Sequence, residues 1–178
     1  MWILYLMKNR LGKLKTWIDA RVYKQYFKHF VFLISKGNVA NRPTPVKKTV
    51  AFMATATGYQ SNMADKQVIQ FNHVITNEGG AYDNSTGIFT TPVDGTYNFQ
   101  TTILTNNDVE IWGHIDVNES PKVWFNAKAS DNRHDSGSQS LVISLSKGDK
   151  VTARTAHNSG TLYGEHYTSF SGFLFSSH

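Results

Sequence analysis

Seven histidines are the first residues to test for chemistry. His114, His134, His157 and His166 fall among polar residues in the second half of the chain. No two of them have the close spacing by which a helical zinc motif aims two imidazoles at one ion. The chain has no cysteine, so a thiolate nucleophile or metal site is excluded, and it holds neither a Gly-x-Ser-x-Gly elbow nor a phosphate-cradling glycine loop. These residues argue against an enzyme. Asp108, Asp131 and Asp135 sit in polar, turn-forming stretches where carboxylates could hold calcium. Their spacing is not that of an EF-hand, and solvated turn residues have the same composition.

Recognition chemistry has more candidates. Trp112 lies on a stretch shared with Glu110, His114 and Asp116, and Trp124 lies in the apolar triplet Val123-Trp124-Phe125. With Tyr163 and Tyr167 they suit stacking on sugar rings or protein contacts if exposed, and sheet packing if not; the triplet favours packing for Trp124. The polar runs Arg133-His134-Asp135 and His157-Asn158-Ser159-Gly160-Thr161 are loop candidates for the same role. The expected ligand-binding set is therefore Trp112, His114, Arg133, His134, Asp135, His157 and Asn158. Asn84-Ser85-Thr86 and Asn118-Glu119-Ser120 match the glycosylation acceptor pattern, which has meaning only if the chain enters the secretory route. Pro121 directly after the second triplet counts against Asn118.

Strands must position these residues. From Val68 to Gln100, short apolar runs are cut by Asn77-Glu78-Gly79-Gly80, Asp83-Asn84, Gly87 and Pro92-Val93-Asp94-Gly95, breaks that no helix would survive. After the Asp94-Gly95 turn, Tyr97, Phe99, Thr101 and Ile103 share one strand face. Val50 to Ala54 forms a first strand, and Val68 to Phe71 another. Val109, Ile111, Ile115 and Val117 alternate with Glu110, Trp112, His114 and Asp116, giving one apolar and one mixed face. Asn118 to Pro121 is a turn, Val123 to Phe125 a short strand, and Ser130 to Ser140 a long polar loop. Leu141, Ile143 and Leu145 alternate toward Lys147-Gly148-Asp149, Val151 and Ala153 follow, and the chain closes on an apolar run from Tyr167 to Phe175. About ten short strands with frequent turns predict an all-β, two-sheet sandwich.

Charge divides the chain. Residues 1–48 hold 11 Lys and Arg against Asp19 alone, a net of +10, whereas the remainder holds 7 against 12 acidic residues, a net of −5. The overall basic balance therefore says nothing about the partners of the larger part, and nucleic-acid binding by it is not expected. Within residues 1–36, Met7, Leu11, Leu14, Ile18, Val22, Tyr26 and Phe30 recur at helical spacing, with lysines and arginines on the other face. Such a segment would lie on an anionic membrane surface, pack against partner helices, or remain a solvated tail. Residues 37–48, with Pro43 and Pro45, read as a linker, and residues 49–178 as the main domain. The longest apolar run, Met1 to Met7, is far short of the roughly 20 residues that cross a bilayer, and it makes a poor secretory signal.

Phe71, Asn77, Gly80, Tyr82-Asp83, Gly87-Ile88-Phe89, Pro92, Gly95, Tyr97 and Phe99 together resemble the signature of the globular head domain of complement C1q, within the C1q and tumour-necrosis-factor superfamily. Ala51-Phe52, Leu145 to Val151 and Phe170-Ser171-Gly172-Phe173-Leu174 extend the resemblance over residues 49–178. It implies a ten-stranded jelly-roll of two five-stranded antiparallel sheets, with the last strand buried centrally and the termini close together. It also implies a homotrimer, an exported and non-enzymatic module for innate immune recognition of microbial polysaccharide or protein ligands, and in some members calcium. The other role it implies is a cytokine-like or adhesive ligand for a cell-surface receptor. A collagen-like stalk needs Gly at every third position, which this sequence lacks, so a stalkless form is expected.

Overall fold

The computed structural model describes residues 49–106, 109–157 and 160–178. The basic segment and the linker expected over residues 1–48 lie outside them. Ten strands form among the described residues, and no helix. They are β1 (Ala51–Thr55), β2 (His73–Glu78), β3 (Tyr82–Asp83), β4 (Ile88–Thr90), β5 (Gly95–Asn106), β6 (Glu110–Val117), β7 (Ser120–Lys128), β8 (His134–Leu145), β9 (Lys150–Ala156) and β10 (Ser169–Ser177). The first sheet runs β2-β1-β10-β5-β8 and the second β3-β4-β9-β6-β7, with every pairing antiparallel. This is the expected jelly-roll, with β10 at the centre of the first sheet between β1 and β5.

Alternation along the strands builds the core. Tyr97, Phe99, Thr101 and Ile103 of β5 all point inward and are buried, as do Phe52 and Ala54 of β1 and Ile111 and Ile115 of β6. Aromatic rings fill the space between the sheets. Phe52 stacks on Tyr82 and Phe89, with ring centroids 4.6 and 5.1 Å apart, and meets Phe170 edge-on at 5.1 Å. Phe170 in turn contacts Phe71 at 5.5 Å and Phe99 at 6.2 Å. Gly172, two residues further along β10, leaves room for these rings: a Cβ there would meet Phe99 at 2.5 Å and Phe52 at 2.8 Å. Gly172→Ala should therefore lower unfolding stability by about 1–3 kcal/mol through overpacking, measured by urea titration at fixed protein concentration.

Three local expectations are corrected. Val68 to Phe71 is not a strand of either sheet. It touches β9 through a single bridge from Val68 to Arg154 and through the Ile69 N–H donating to the Ala153 carbonyl, while Ile69 and Phe71 plug the core. The polar loop expected from Ser130 to Ser140 is a loop only as far as Arg133. From His134 onward it pairs with β5, Asp135 opposite Thr105 and Ser138 opposite Thr102. Gly137 faces inward there because any larger side chain would strike the Asn126 carbonyl of β7, and this removes the apolar alternation that marks a strand. Lastly, β7 runs nine residues and takes in Pro121, which an edge strand tolerates.

Candidate functional site

The hairpin turns place the expected loop residues. Asn118 and Glu119 are the two central residues of the β6–β7 turn, both left-handed with φ of 51° and 64°, as a tight hairpin requires. Asn118 then works as a clamp: its Nδ2 donates to Asp149 Oδ1 and its Oδ1 accepts from the Lys150 N–H, both at 2.9 Å. Its amide is thus committed to Asp149 and Lys150, where β9 begins, whereas Asn84 is exposed and donates to the Asn72 carbonyl at 3.1 Å. Asp131 and Asn132 are likewise left-handed, closing the connection from β7 to β8.

Arg133, His134, Asp135 and His157 lie toward the end of the sandwich where β7 and β9 finish and β8 starts. Asp108 and Asn158 lie outside the described residues. Asp135 Oδ2 accepts from the Lys128 N–H at 2.8 Å, and the His157 N–H donates to Asp65 Oδ1 at 2.7 Å. Among the described residues no three His, Cys, Asp or Glu side chains converge as a metal site. The His134 ring stands edge-on to Tyr163 at 4.9 Å, and Tyr163 carries Tyr59 at 4.6 Å and Tyr167 at 5.8 Å. Hydrogen bonding to Tyr59, with burial and the Glu165 carboxylate, pushes the Tyr163 phenol up to about 12, so it stays neutral at physiological pH. Tyr59 and Tyr167 are exposed. His73 and His166 also meet edge-on, 4.8 Å apart, with His166 Nδ1 bonded to Thr55 Oγ1 at 2.8 Å. Their 93-residue separation left no signal of this pairing in the sequence.

Trp112 and His114 project from the outer face of β6. Register puts Trp112 opposite Asn126 and His114 opposite Trp124, so both indoles share that face as diagonal neighbours. Trp112 is 43 % exposed and Trp124 50 %. The packing expected for Trp124 falls instead to Phe125, because adjacent residues of a strand point to opposite sides. His114 is only 3 % exposed and lies beneath the Trp124 ring at 5.0 Å, so it presents no free face to a ligand. Beside it, Arg154 Nε sits 2.8 Å from the buried Asp116 carboxylate, whose Oδ1 also accepts from Thr152 Oγ1. Arg154 Nη1 donates to the Lys66 carbonyl at 3.0 Å, tying the loop before Val68 to β9. His114 Nε2 lies 3.7 Å from Asp116, and its Nδ1 has no partner among the described residues.

The first sheet presents a different outer face. Met53, Val142 and Phe173 are exposed on it, and Phe175 is exposed where the register of β10 shifts between Leu174 and Ser176. Phe173 of β10 and Val142 of β8 flank Asn98 of β5 in register, and Asn98 Oδ1 is buried without a partner among the described residues. Sequence patterning missed this face, because it reads each apolar residue of β10 as core.

Comparison with known proteins gives this arrangement a context. The family model "C1q domain" matches residues 51–175. "Complement C1q tumor necrosis factor-related protein 3" of Mus musculus is 32 % identical over 133 residues, which are 73 % of this chain and 52 % of that protein. The "Heavy metal-binding protein HIP" of Mytilus edulis is 30 % identical over 127 residues, 70 % of this chain and 60 % of that one. The chain thus spans about half to three-fifths of these relatives' length. Among solved structures, the globular domain of the zebrafish complement 1qA protein superposes with a TM-score of 0.62 at 22 % identity, covering 72 % of this chain and 99 % of that one. The Eiger TNF of S. frugiperda does so at 0.60 and 10 %, covering 74 % and 96 %; both likenesses show the fold. The signature residues, the jelly-roll and the family match together establish that this chain belongs to the C1q family, whose domains are generally non-enzymatic recognition or signalling modules and typically form trimers.

Proposed function

We propose that the protein is a secreted recognition module that assembles as a homotrimer and binds microbial polysaccharide or protein ligands multivalently, in innate immune recognition. The observation that carries this is the outer face of the first sheet. Phe173 and Val142 are apolar and exposed on either side of Asn98, whose side-chain oxygen lacks a partner among the described residues, and Phe175 is exposed further along β10. Exposed apolar side chains on both sides of an unsatisfied polar atom suit an interface between copies, which would remove the apolar area from water and satisfy the amide. Three weak sites held on one trimer would then bind a repeating surface far better than one site does.

Phe173→Glu combined with Phe175→Glu tests this without touching the core, since both side chains are exposed. The double variant should keep its fold by circular dichroism, become monomeric, and bind an immobilised microbial polysaccharide about 100-fold more weakly. Binding as tight as that of the unmodified chain would remove multivalency from the account. A cytokine-like role is the second reading, favoured by the 32 % identity to a protein named for its relation to tumour necrosis factor. One saturable protein receptor and no glycan binding would decide for it.

A further inference from the structure

The geometry points to the outer face of the second sheet as a subsite for neutral sugar rings, stacked on Trp112 and Trp124. This rests on the proposal that the chain binds glycans, and it specifies where and of what charge. A sugar ring has an apolar face of C–H groups and a rim of hydroxyls, so its receptor needs flat aromatic surface interleaved with hydrogen-bonding groups. The two indoles supply the first, each about half exposed at 43 % and 50 %. Asn126, directly opposite Trp112, and Glu110 supply the second, with Asn126 Nδ2 positioned by Glu110 Oε1 at 3.3 Å and the Ile111 carbonyl at 3.1 Å.

Charge decides between sugar classes. Lys128 is matched by Glu110 at 3.8 Å, and Arg154 by Asp116 at 2.8 Å with Glu119 at 4.0 Å. Among the described residues the cations beside the indoles, Lys128 and Arg154, are thus matched, whereas Lys122, further along β7, is held only by Ser120 Oγ at 3.3 Å; the matched pairs at the indoles suit neutral hexoses there. Rigidity favours it as well. Both tryptophans stand on hydrogen-bonded strands, and Trp124 rests on the buried His114 ring at 5.0 Å, so little freedom is lost when a ligand stacks there. Assembly through the opposite face of the sandwich leaves this one open on each subunit.

The test is binding of the full chain to mannan, dextran, galactan and a chitooligosaccharide, with dextran sulfate as the charged comparison. Trp112→Ala and Trp124→Ala should each weaken binding to the neutral sugars about tenfold or more, with Phe at either position intermediate, while solution mass and dextran sulfate binding stay unchanged. The graded Phe variants keep the test valid if an alanine variant folds poorly. Neutral-sugar binding that is indifferent to both tryptophans would overturn the subsite and leave glycan recognition standing at another place. No binding to any neutral sugar by the unmodified chain would overturn both. A change of mass in the Trp variants would instead make the platform a contact between subunits.

Discussion

Phe170→Ala should lower the unfolding free energy by about 3–5 kcal/mol, the largest loss expected from any single truncation in this domain. Phe170 is fully buried in the central strand of the first sheet and touches rings from both sheets: Phe52 at 5.1 Å, Phe71 at 5.5 Å, Phe99 at 6.2 Å and Tyr82 at 6.4 Å. Removing it opens a cavity between rings held on paired strands, which relax only partly into the space. Urea titration monitored by circular dichroism measures the loss. Phe173→Ala is the internal comparison. Three residues along the same strand but exposed, it should change the stability of the isolated subunit by less than about 0.5 kcal/mol. Equal effects from the two would mean that the core is not where the alternation of β10 places it.

Asp116→Ala should cost about 3–5 kcal/mol for a different reason. Asp116 is 1 % exposed and holds Arg154 at 2.8 Å and the Thr152 hydroxyl, with His114 at 3.7 Å. Truncation leaves a largely buried guanidinium whose remaining carboxylate neighbour among the described residues is Glu119, at 4.0 Å on the exposed turn. It also frees the arginine that anchors the Lys66 carbonyl. Because Arg154 keeps some access to water, the lower end of that range is expected. Arg154→Met in the same background should recover part of the loss, since it removes the orphaned charge while keeping the side-chain volume. A double variant as unstable as the sum of the singles would show that the pair does not act as a unit.

Strands with one buried face were legible in the sequence, and strands without such a contrast were not. Tyr97, Phe99, Thr101 and Ile103 announced β5 because every second residue enters the core. The first half of β8 was read as a loop because its inward position is Gly137 and its outward ones are serines; its strand state comes from pairing with β5, which local composition does not record. The same limit governs the candidate site. The polar companions of Trp112 left it open between surface and packing, and Trp124 was hidden in an apolar triplet whose middle member points outward. His114 and Asp116 looked open for the opposite reason. They share a strand face with exposed residues and are covered by Trp124 and Arg154, which arrive from neighbouring strands. The family resemblance supplied the two five-stranded sheets and the central β10, which periodicity alone does not determine.

The proposed assembly face is tested most directly by the solution mass of the full chain, measured by light scattering over a range of protein concentrations. A species of three times the 20.0 kDa chain mass, shifting to 20.0 kDa when Phe173 and Phe175 are replaced by glutamate, is the predicted result. A 20.0 kDa monomer at every concentration, or an oligomer indifferent to those two residues, would contradict it.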